Sequence, residues 1–156
     1  MRIAPLAIAL LLTAACSKTL KVETDPQTGR TDVDVQAPGA PEGYSGTLSA
    51  VGMSGITGTA NGSTGNDQTS VTVNIMGAQP GSTLPWHIHD GKCNDAGPPI
   101  VGSVSAYPPL IVGSNGRATG QATVSVGLNE AKNYIINVHA SPTNLGTIVA
   151  CGDFND

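Results

Sequence analysis

Apolar and polar positions alternate along much of the chain from residue 44 onward, and a period of two is typical of β-strands with one buried face. The alternation is clearest over Thr69–Met76 and Ala118–Val126. Tyr134–His139 is a nearly continuous apolar run, as expected for a strand that is buried on both faces. Ser45–Met53 and Thr147–Cys151 are two further strand candidates. The pattern therefore predicts an all-β domain.

Turn-forming residues separate these candidate strands. They are Ala60-Asn61-Gly62, Gln79-Pro80-Gly81 and Ser114-Asn115-Gly116. The Asn115-Gly116 pair predicts a hairpin between Leu110–Val112 and Ala118–Val126. Only Leu128–Lys132 has a brief helical pattern, and residues 94–109 form a Gly-, Pro- and Ser-rich loop of a length that is often functional. Short strands, frequent turns and almost no helix predict a β-sandwich or a Greek-key β-barrel.

The first 15 residues have the composition of a secretory signal peptide. Arg2 precedes an apolar stretch, Ile3–Thr13, that is shorter than the ~20 residues needed to span a bilayer. The run Leu12-Thr13-Ala14-Ala15-Cys16 resembles a bacterial lipobox, which implies that Cys16 is lipidated and anchors an exported protein to the cell envelope. Ser17 after the cysteine implies the outer membrane, facing the periplasm. The alternative is ordinary cleavage that leaves Cys16 as a free thiol.

Residues 16–43 are polar, contain Pro and Gly, and have no sustained period. This composition predicts a flexible membrane tether that precedes one β domain at residues 44–156. An edge strand is the alternative for Thr31–Val35, where the residues alternate. The chain has 7 Lys and Arg against 11 Asp and Glu and no basic patch, so nucleic acid is not an expected partner.

The only three histidines of the chain are candidate metal ligands. His87 and His89 are two residues apart, and on a strand such residues point to the same face, where two imidazoles can converge on one ion. His139 ends the most apolar of the predicted strands, where a histidine is more commonly a core residue. Imidazole nitrogen suits copper, and Cu(II) has the highest affinity in the usual order of divalent metals.

Two cysteines, Cys93 and Cys151, follow Cys16 in the sequence. An even pair of cysteines in an exported domain predicts a disulfide. This bond would tie the segment that follows His89 to the last predicted strand. It would also hold the loop after Cys93 beside the histidines.

The order of these residues resembles that of copper/zinc superoxide dismutases. The matching residues are His87-Ile88-His89, Cys93, Ala96-Gly97-Pro98, Asn137-Val138-His139-Ala140, Leu145-Gly146 and Ala150-Cys151-Gly152. The resemblance covers roughly residues 83–154 and implies the Greek-key β-barrel of that family. It also implies a copper ion held by His87, His89 and His139, a Cys93–Cys151 disulfide, and disproportionation of superoxide.

The chain departs from the dismutase pattern at the positions of several functional residues. Pro99 stands where that family has the histidine that bridges copper and zinc, and Ile148 stands where it has the active-site arginine. Residues 100–117 contain no His and no Asp, so no zinc site is expected. The resemblance therefore implies a copper-only centre with slower turnover than the complete enzymes.

The sequence leaves the roles of five residues near the histidines open. Asp90 and Asp95 are candidates for a fourth ligand or for a partner of an imidazole N–H, although a role in loop turns is more common. Lys92 is the nearest candidate for guiding an anion, although a solvated loop lysine is more common. Trp86 alternates with His87 and is expected to pack in the core or at its rim. Tyr107 is expected to anchor the loop or to fold over the site.

The same histidines also resemble those of a chordin-type (CHRD) domain. His87-Ile88-His89, Gly97-Pro98 and Tyr134 with Asn137-Val138-His139 fit that pattern, whereas Cys93 and Ala150-Cys151-Gly152 favour the dismutase pattern. Three functions stay open: a copper enzyme acting on superoxide, a non-enzymatic copper-binding or buffering protein, and a structural or interaction domain without a metal.

Overall fold

The computed structural model describes residues 41–156 in full and, before them, the backbone of residues 19–24 and 31–36. The chain divides into two compact units, Met1–Ala40 and Pro41–Asp156. The proposed signal peptide at 1–15 and the proposed lipid anchor at Cys16 lie outside the described residues. Among the described residues, no helix is both long and apolar enough to cross a membrane.

The N-terminal unit contains a β-hairpin. Strand β1, Thr19–Thr24, pairs antiparallel with strand β2, Thr31–Gln36. The alternation at Thr31–Val35 thus belongs to a regular strand, whose partner is β1. Part of the segment that composition assigns to a flexible tether therefore consists of two paired strands.

The second unit is all-β, as the alternation predicts. Its strands are β3 Glu42–Ala50, β4 Thr57–Thr64, β5 Thr69–Met76, β6 Thr83–Leu84, β7 Trp86–Asp90, β8 Leu110–Ile111, β9 Ala118–Val124, β10 Tyr134–Ser141 and β11 Asn144–Asp153. Within the described part of the chain, helix is limited to one 3₁₀ turn, Val104–Ala106. Seven strands form one antiparallel sheet in the order β7-β10-β11-β3-β4-β5-β9, which curls into a half-barrel, and β6 pairs with β8 separately.

The concave face of this sheet holds the hydrophobic core. In β5 the apolar positions of the alternation, Val71, Val73 and Ile75, are all buried. Trp86 and Phe154 are the largest fully buried side chains. Because alternate residues of a strand face opposite sides of the sheet, the strands that contribute to this core place their intervening residues on the outer face.

Two local expectations are wrong, one about a turn and one about a helix. Ala60-Asn61-Gly62 lies inside β4 rather than at a turn. A Cβ added at Gly62 would lie 2.4 Å from the carbonyl oxygen of Ser70 and 3.0 Å from the Phe154 ring, so this glycine permits close packing. Leu128–Lys132 is not helical and instead forms a turn, in which the Lys132 N–H donates to the Asn129 carbonyl over 2.9 Å.

The expected hairpin across Asn115-Gly116 is also wrong in its pairing, although the turn itself is present. The Gly113 N–H donates to the Arg117 carbonyl over 2.9 Å and closes the turn. The strands on either side of it do not pair with each other, because β8 pairs with β6 and β9 pairs with β5. A local turn signal does not specify these long-range partners.

Gly120 of β9 allows that strand to approach the core tryptophan closely. A Cβ at Gly120 would lie 2.9 Å from Trp86 Nε1 and 2.8 Å from Leu110 Cδ2. Because Trp86 is fully buried and its Nε1 donates to the Pro108 carbonyl over 2.8 Å, the indole has little freedom to move. We expect Gly120→Val to lower the free energy of unfolding by about 3 kcal/mol in urea titrations.

The matched control for this substitution is Gly43→Val in β3. A Cβ at Gly43 meets no atom within 4 Å, so this change should shift the free energy of unfolding by less than about 0.5 kcal/mol. Equal stability of the two variants would show that the Gly120 contact with Trp86 does not constrain the fold.

Candidate metal centre

The pairing of β7 with β10 places two histidines on the outer face of the sheet. Trp86 and Ile88 belong to the hydrophobic core, so the residues that alternate with them, His87 and His89, face the other way. Across the strand pair, Asn137 lies opposite His87. This part of the outer face is covered, since His87, His89 and Asn137 are each at most 5% exposed.

His139 joins the same face from strand β10. Its backbone N–H donates to the Pro85 carbonyl over 2.8 Å, next to the start of β7. The pairing of β10 with β11 shifts register at this point, where His139 lies opposite Ile148 and Ser141 lies opposite Asn144. The extra residues on β11 form a bulge, and within it the Leu145 carbonyl comes 2.7 Å from His139 Nδ1.

The three histidines converge into one buried cluster. Their potential ligand nitrogens all lie within 4.8 Å of one another. His87, His89 and His139 are 3%, 5% and 5% exposed, and His87 Nδ1 is 3.1 Å from His139 Nε2. This arrangement can hold a metal ion. It joins residues that are 52 positions apart in the sequence.

Backbone carbonyls orient two of the imidazoles. His89 Nδ1 donates to the Pro98 carbonyl over 2.7 Å, and His139 Nδ1 donates to Leu145 at the same distance. Because a carbonyl only accepts, each Nδ1 carries the ring proton, and each Nε2 carries the lone pair that a metal needs. Hydrogen bonds of this kind fix the tautomer and the orientation of metal-binding histidines.

One of these lone pairs has no partner within the protein. His89 Nε2 is buried and accepts no hydrogen bond. A buried polar atom without a partner costs about 1–3 kcal/mol, so such atoms are uncommon unless something binds them. The orphaned nitrogen therefore fits a site built for a metal ion.

The environment of the cluster also favours the neutral form of each histidine. Burial, followed by the neighbouring His139 and His89, lowers the pKa of His87 to about 4. Burial is also the main reason why the pKa of His89 and that of His139 lie below the usual value. Metal binding requires neutral imidazole, so all three rings have the ligating form at neutral pH.

The lowered pKa values predict that acid destabilises the metal-free protein. In the unfolded chain these histidines take up protons below about pH 6.5, whereas in the folded protein they resist protonation. The free energy of unfolding should therefore fall as the pH drops from about 6.5 towards the His87 pKa of about 4. Thermal unfolding in a chelator at several pH values measures this slope.

The control for the acid effect is His87→Gln, which removes one of the three titrating groups. Its stability should change less between pH 6.5 and 5 than that of the wild type. A flat profile for the wild type over this interval would contradict the burial of neutral imidazoles.

The loop after β7 folds back over the free edge of that strand. The Asp90 N–H donates to the Pro99 carbonyl and the Val101 N–H donates to the Ile88 carbonyl, each over 2.9 Å. The loop therefore covers an edge that would otherwise be open to another chain. It also brings the Pro98 carbonyl to His89, so the long Gly- and Pro-rich loop forms part of the site.

The expected pairing of Cys93 with Cys151 is present. The two residues form a disulfide with a Cα–Cα distance of 5.9 Å and a sequence separation of 58. Cys151 lies opposite Asn137 in the β10–β11 pair, while Cys93 follows β7 in the loop. The bond therefore links the strand next to His139 to the loop that orients His89.

The charged residues that flank the histidines lie outside the cluster. Among the described residues, the group of potential metal ligands contains neither Asp90 nor Asp95. Asp90 pairs with Lys132, and the Asp95 carboxylate accepts the Lys92 backbone N–H over 2.7 Å, which is the loop role that is common for such residues. Lys92 is exposed.

A scan against models of known protein families finds no match for this chain, and a search of curated proteins finds no similar sequence. The resemblances to superoxide dismutases and CHRD domains therefore depend on short motifs of the chain alone.

Two aromatic residues of the hydrophobic core, Trp86 and Tyr107, pack against each other, and Tyr107 also contacts the histidine cluster. Trp86 packs in the core, as expected. Tyr107 is buried, and its ring lies 5.3 Å from both the His87 ring and the Trp86 ring, nearly perpendicular to each. Its hydroxyl donates to the Val101 carbonyl over 2.7 Å. Tyr107 thus both anchors the loop and packs against His87.

Proposed function

We propose that this protein is an exported lipoprotein with a superoxide dismutase-like domain, which binds one copper ion through His87, His89 and His139 and disproportionates superoxide. The observation that carries the proposal is the convergence of three buried imidazoles, whose ligand nitrogens lie within 4.8 Å of one another. Two of them are oriented by backbone carbonyls, and His89 Nε2 has no partner.

The strand order supports the dismutase-like part of the proposal. The chain passes from β5, near one edge of the sheet, to β7 at the opposite edge, and then from the edge strand β9 to β10 beside β7. Such crossing connections between non-consecutive neighbours are the hallmark of Greek-key folds. The Cys93–Cys151 disulfide and the convergence of the three histidines, both of which the resemblance implies, also support this part of the proposal.

The ligand set supports copper as the metal. Neutral imidazole nitrogens bind copper well, and Cu(II) exceeds the neighbouring divalent metals in affinity for such sites. Copper bound here would supply one-electron redox chemistry, which disproportionation of two superoxide ions and two protons to dioxygen and hydrogen peroxide requires. The protein holds three imidazoles in the neutral form and covers them against water.

A second candidate function is copper binding without turnover, as in storage or buffering. The three histidines are at most 5% exposed, which restricts the approach of an anion. The net charge of −4 provides no attraction for superoxide, and Ile148 stands where the dismutase pattern has an arginine.

A superoxide assay on copper-loaded protein separates the two candidates. The enzyme proposal predicts consumption of superoxide well above that of the same copper held by a chelator, and loss of this activity in His139→Ala. Tight copper binding with no activity above that of the chelated metal would contradict the enzyme proposal and favour copper storage. Unchanged melting with and without copper would favour a domain without a metal, since a native-state ligand raises stability.

The lipoprotein part of the proposal predicts that Cys16 carries lipid. Expression in a bacterium with labelled palmitate should label the wild-type protein and leave the Cys16→Ser variant unlabelled in the soluble fraction. Equal labelling of both proteins, or of neither, would contradict an anchor at Cys16.

A further inference from the structure

Asn137 shares the outer face of the β7–β10 pair with the histidines, but it does not belong to the ligand set that the resemblance implies. It is directly opposite His87 in the β7–β10 pair and two residues before His139 on the same strand. Its strand neighbours Ile136 and Val138 belong to the core, so the Asn137 side chain faces the histidine side of the sheet.

The carboxamide oxygen of Asn137 is buried without a partner. The residue is 4% exposed, and its Oδ1 accepts no hydrogen bond. The nearby ring protons are already used, because His89 Nδ1 donates to Pro98, His139 Nδ1 donates to Leu145, and His87 Nδ1 donates to His139 Nε2. An oxygen that is buried at this cost points to a partner that arrives from outside the protein.

Asn137 Oδ1 and His87 Nδ1 extend equally far along their side chains. Oδ1 of asparagine and Nδ1 of histidine are each two bonds from their Cβ atoms. His87 presents Nδ1 to the cluster, 3.1 Å from His139 Nε2. Because directly opposed residues of an antiparallel pair have Cβ atoms ~5 Å apart, the side chains of Asn137 and His87 start from neighbouring points on the same face of the sheet.

We infer that Asn137 Oδ1 is a fourth donor atom to the ion that the three histidines hold. The inference rests on the proposed copper site and extends it from three nitrogen ligands to three nitrogens and one neutral oxygen. Copper sites with a weak amide-type oxygen beside stronger ligands are chemically reasonable, and such a donor tunes the reduction potential. The oxygen favours Cu(II) over Cu(I), since it is the harder ligand.

The test compares Asn137→Leu with the wild type in two measurements that should move in opposite directions. Without metal, the variant should melt a few degrees higher, because it no longer buries an unpaired oxygen. With copper, its Cu(II) affinity should fall about tenfold, its electron paramagnetic resonance spectrum should change, and its reduction potential should rise. A merely structural asparagine would leave the copper spectrum unchanged.

Tyr44→Phe is the matched control. The Tyr44 hydroxyl is another buried oxygen without a partner, but it lies in the hydrophobic core, where the ring packs against Tyr134 and Phe154. Its removal should also raise the melting temperature of the metal-free protein. The copper affinity and spectrum of this variant should match those of the wild type.

Asn137→Asp keeps the test decisive if the leucine variant does not fold. A carboxylate of the same size should raise the Cu(II) affinity and change the spectrum. Unchanged copper spectra in the variants that fold would overturn the fourth-donor role and leave the three-histidine site intact. Absence of copper binding in the wild type would instead overturn the proposed function, and the fourth-donor role with it.

Discussion

Replacing His139 with alanine should reduce copper affinity by more than about a hundredfold, because it removes one of the three proposed ligands and not merely an outer partner. Strand β10 supplies this histidine, whereas β7 supplies the other two. His87 and His89 alone would leave the ion with two imidazoles. Competition against a calibrated chelator measures the affinity, and circular dichroism checks that the variant is folded.

Asp90→Asn is the matched control for His139→Ala. Asp90 follows His89 directly but forms a surface ion pair with Lys132. Exposed pairs of this kind contribute little to stability, so this variant should bind copper within about twofold of the wild type. If His139→Ala bound copper as tightly as Asp90→Asn, the ion would have to bind elsewhere.

Removing the Cys93–Cys151 disulfide should lower the free energy of unfolding by about 4 kcal/mol, since the bond closes a loop of 58 residues. For a domain of this size, the melting temperature should fall by at least about 15 °C. Copper affinity should fall as well, because the bond restrains the loop whose Pro98 carbonyl orients His89. The double variant Cys93→Ala, Cys151→Ala provides the measurement.

Both proteins should carry Cys16→Ser, so that no other thiol takes part. A reducing agent should then shift the melting of the protein with the disulfide towards that of the double variant, and should leave the double variant unchanged. Melting of the double variant within a few degrees of its parent would show that the bond adds little restraint.

Local patterns predict the strands of this protein better than their partners. The alternation of β5 gives its bounds, Thr69–Met76, because one face of that strand lies on the core. The turn at Asn115-Gly116 is also visible in the sequence. The separation of β8 from β9 is not, since it depends on the long-range pairing of β6 with β8.

The candidate metal centre could be predicted only in part. The spacing of His87 and His89 suggests a pair on one face, but His139 joins them only because β7 and β10 are neighbours. The resemblance to dismutases implies that His139 lies near the other two histidines, whereas the periodicity of the sequence does not. The packing of Tyr107 on His87 and the orphaned oxygen of Asn137 depend on tertiary contacts, which no local pattern reports.

Titration of the wild-type protein with Cu(II), followed by electron paramagnetic resonance, tests the central claim most directly. The site predicts one tightly bound equivalent of copper, with hyperfine structure from several nitrogen ligands. Weak binding of many equivalents, or a spectrum without nitrogen couplings, would contradict a copper centre at His87, His89 and His139.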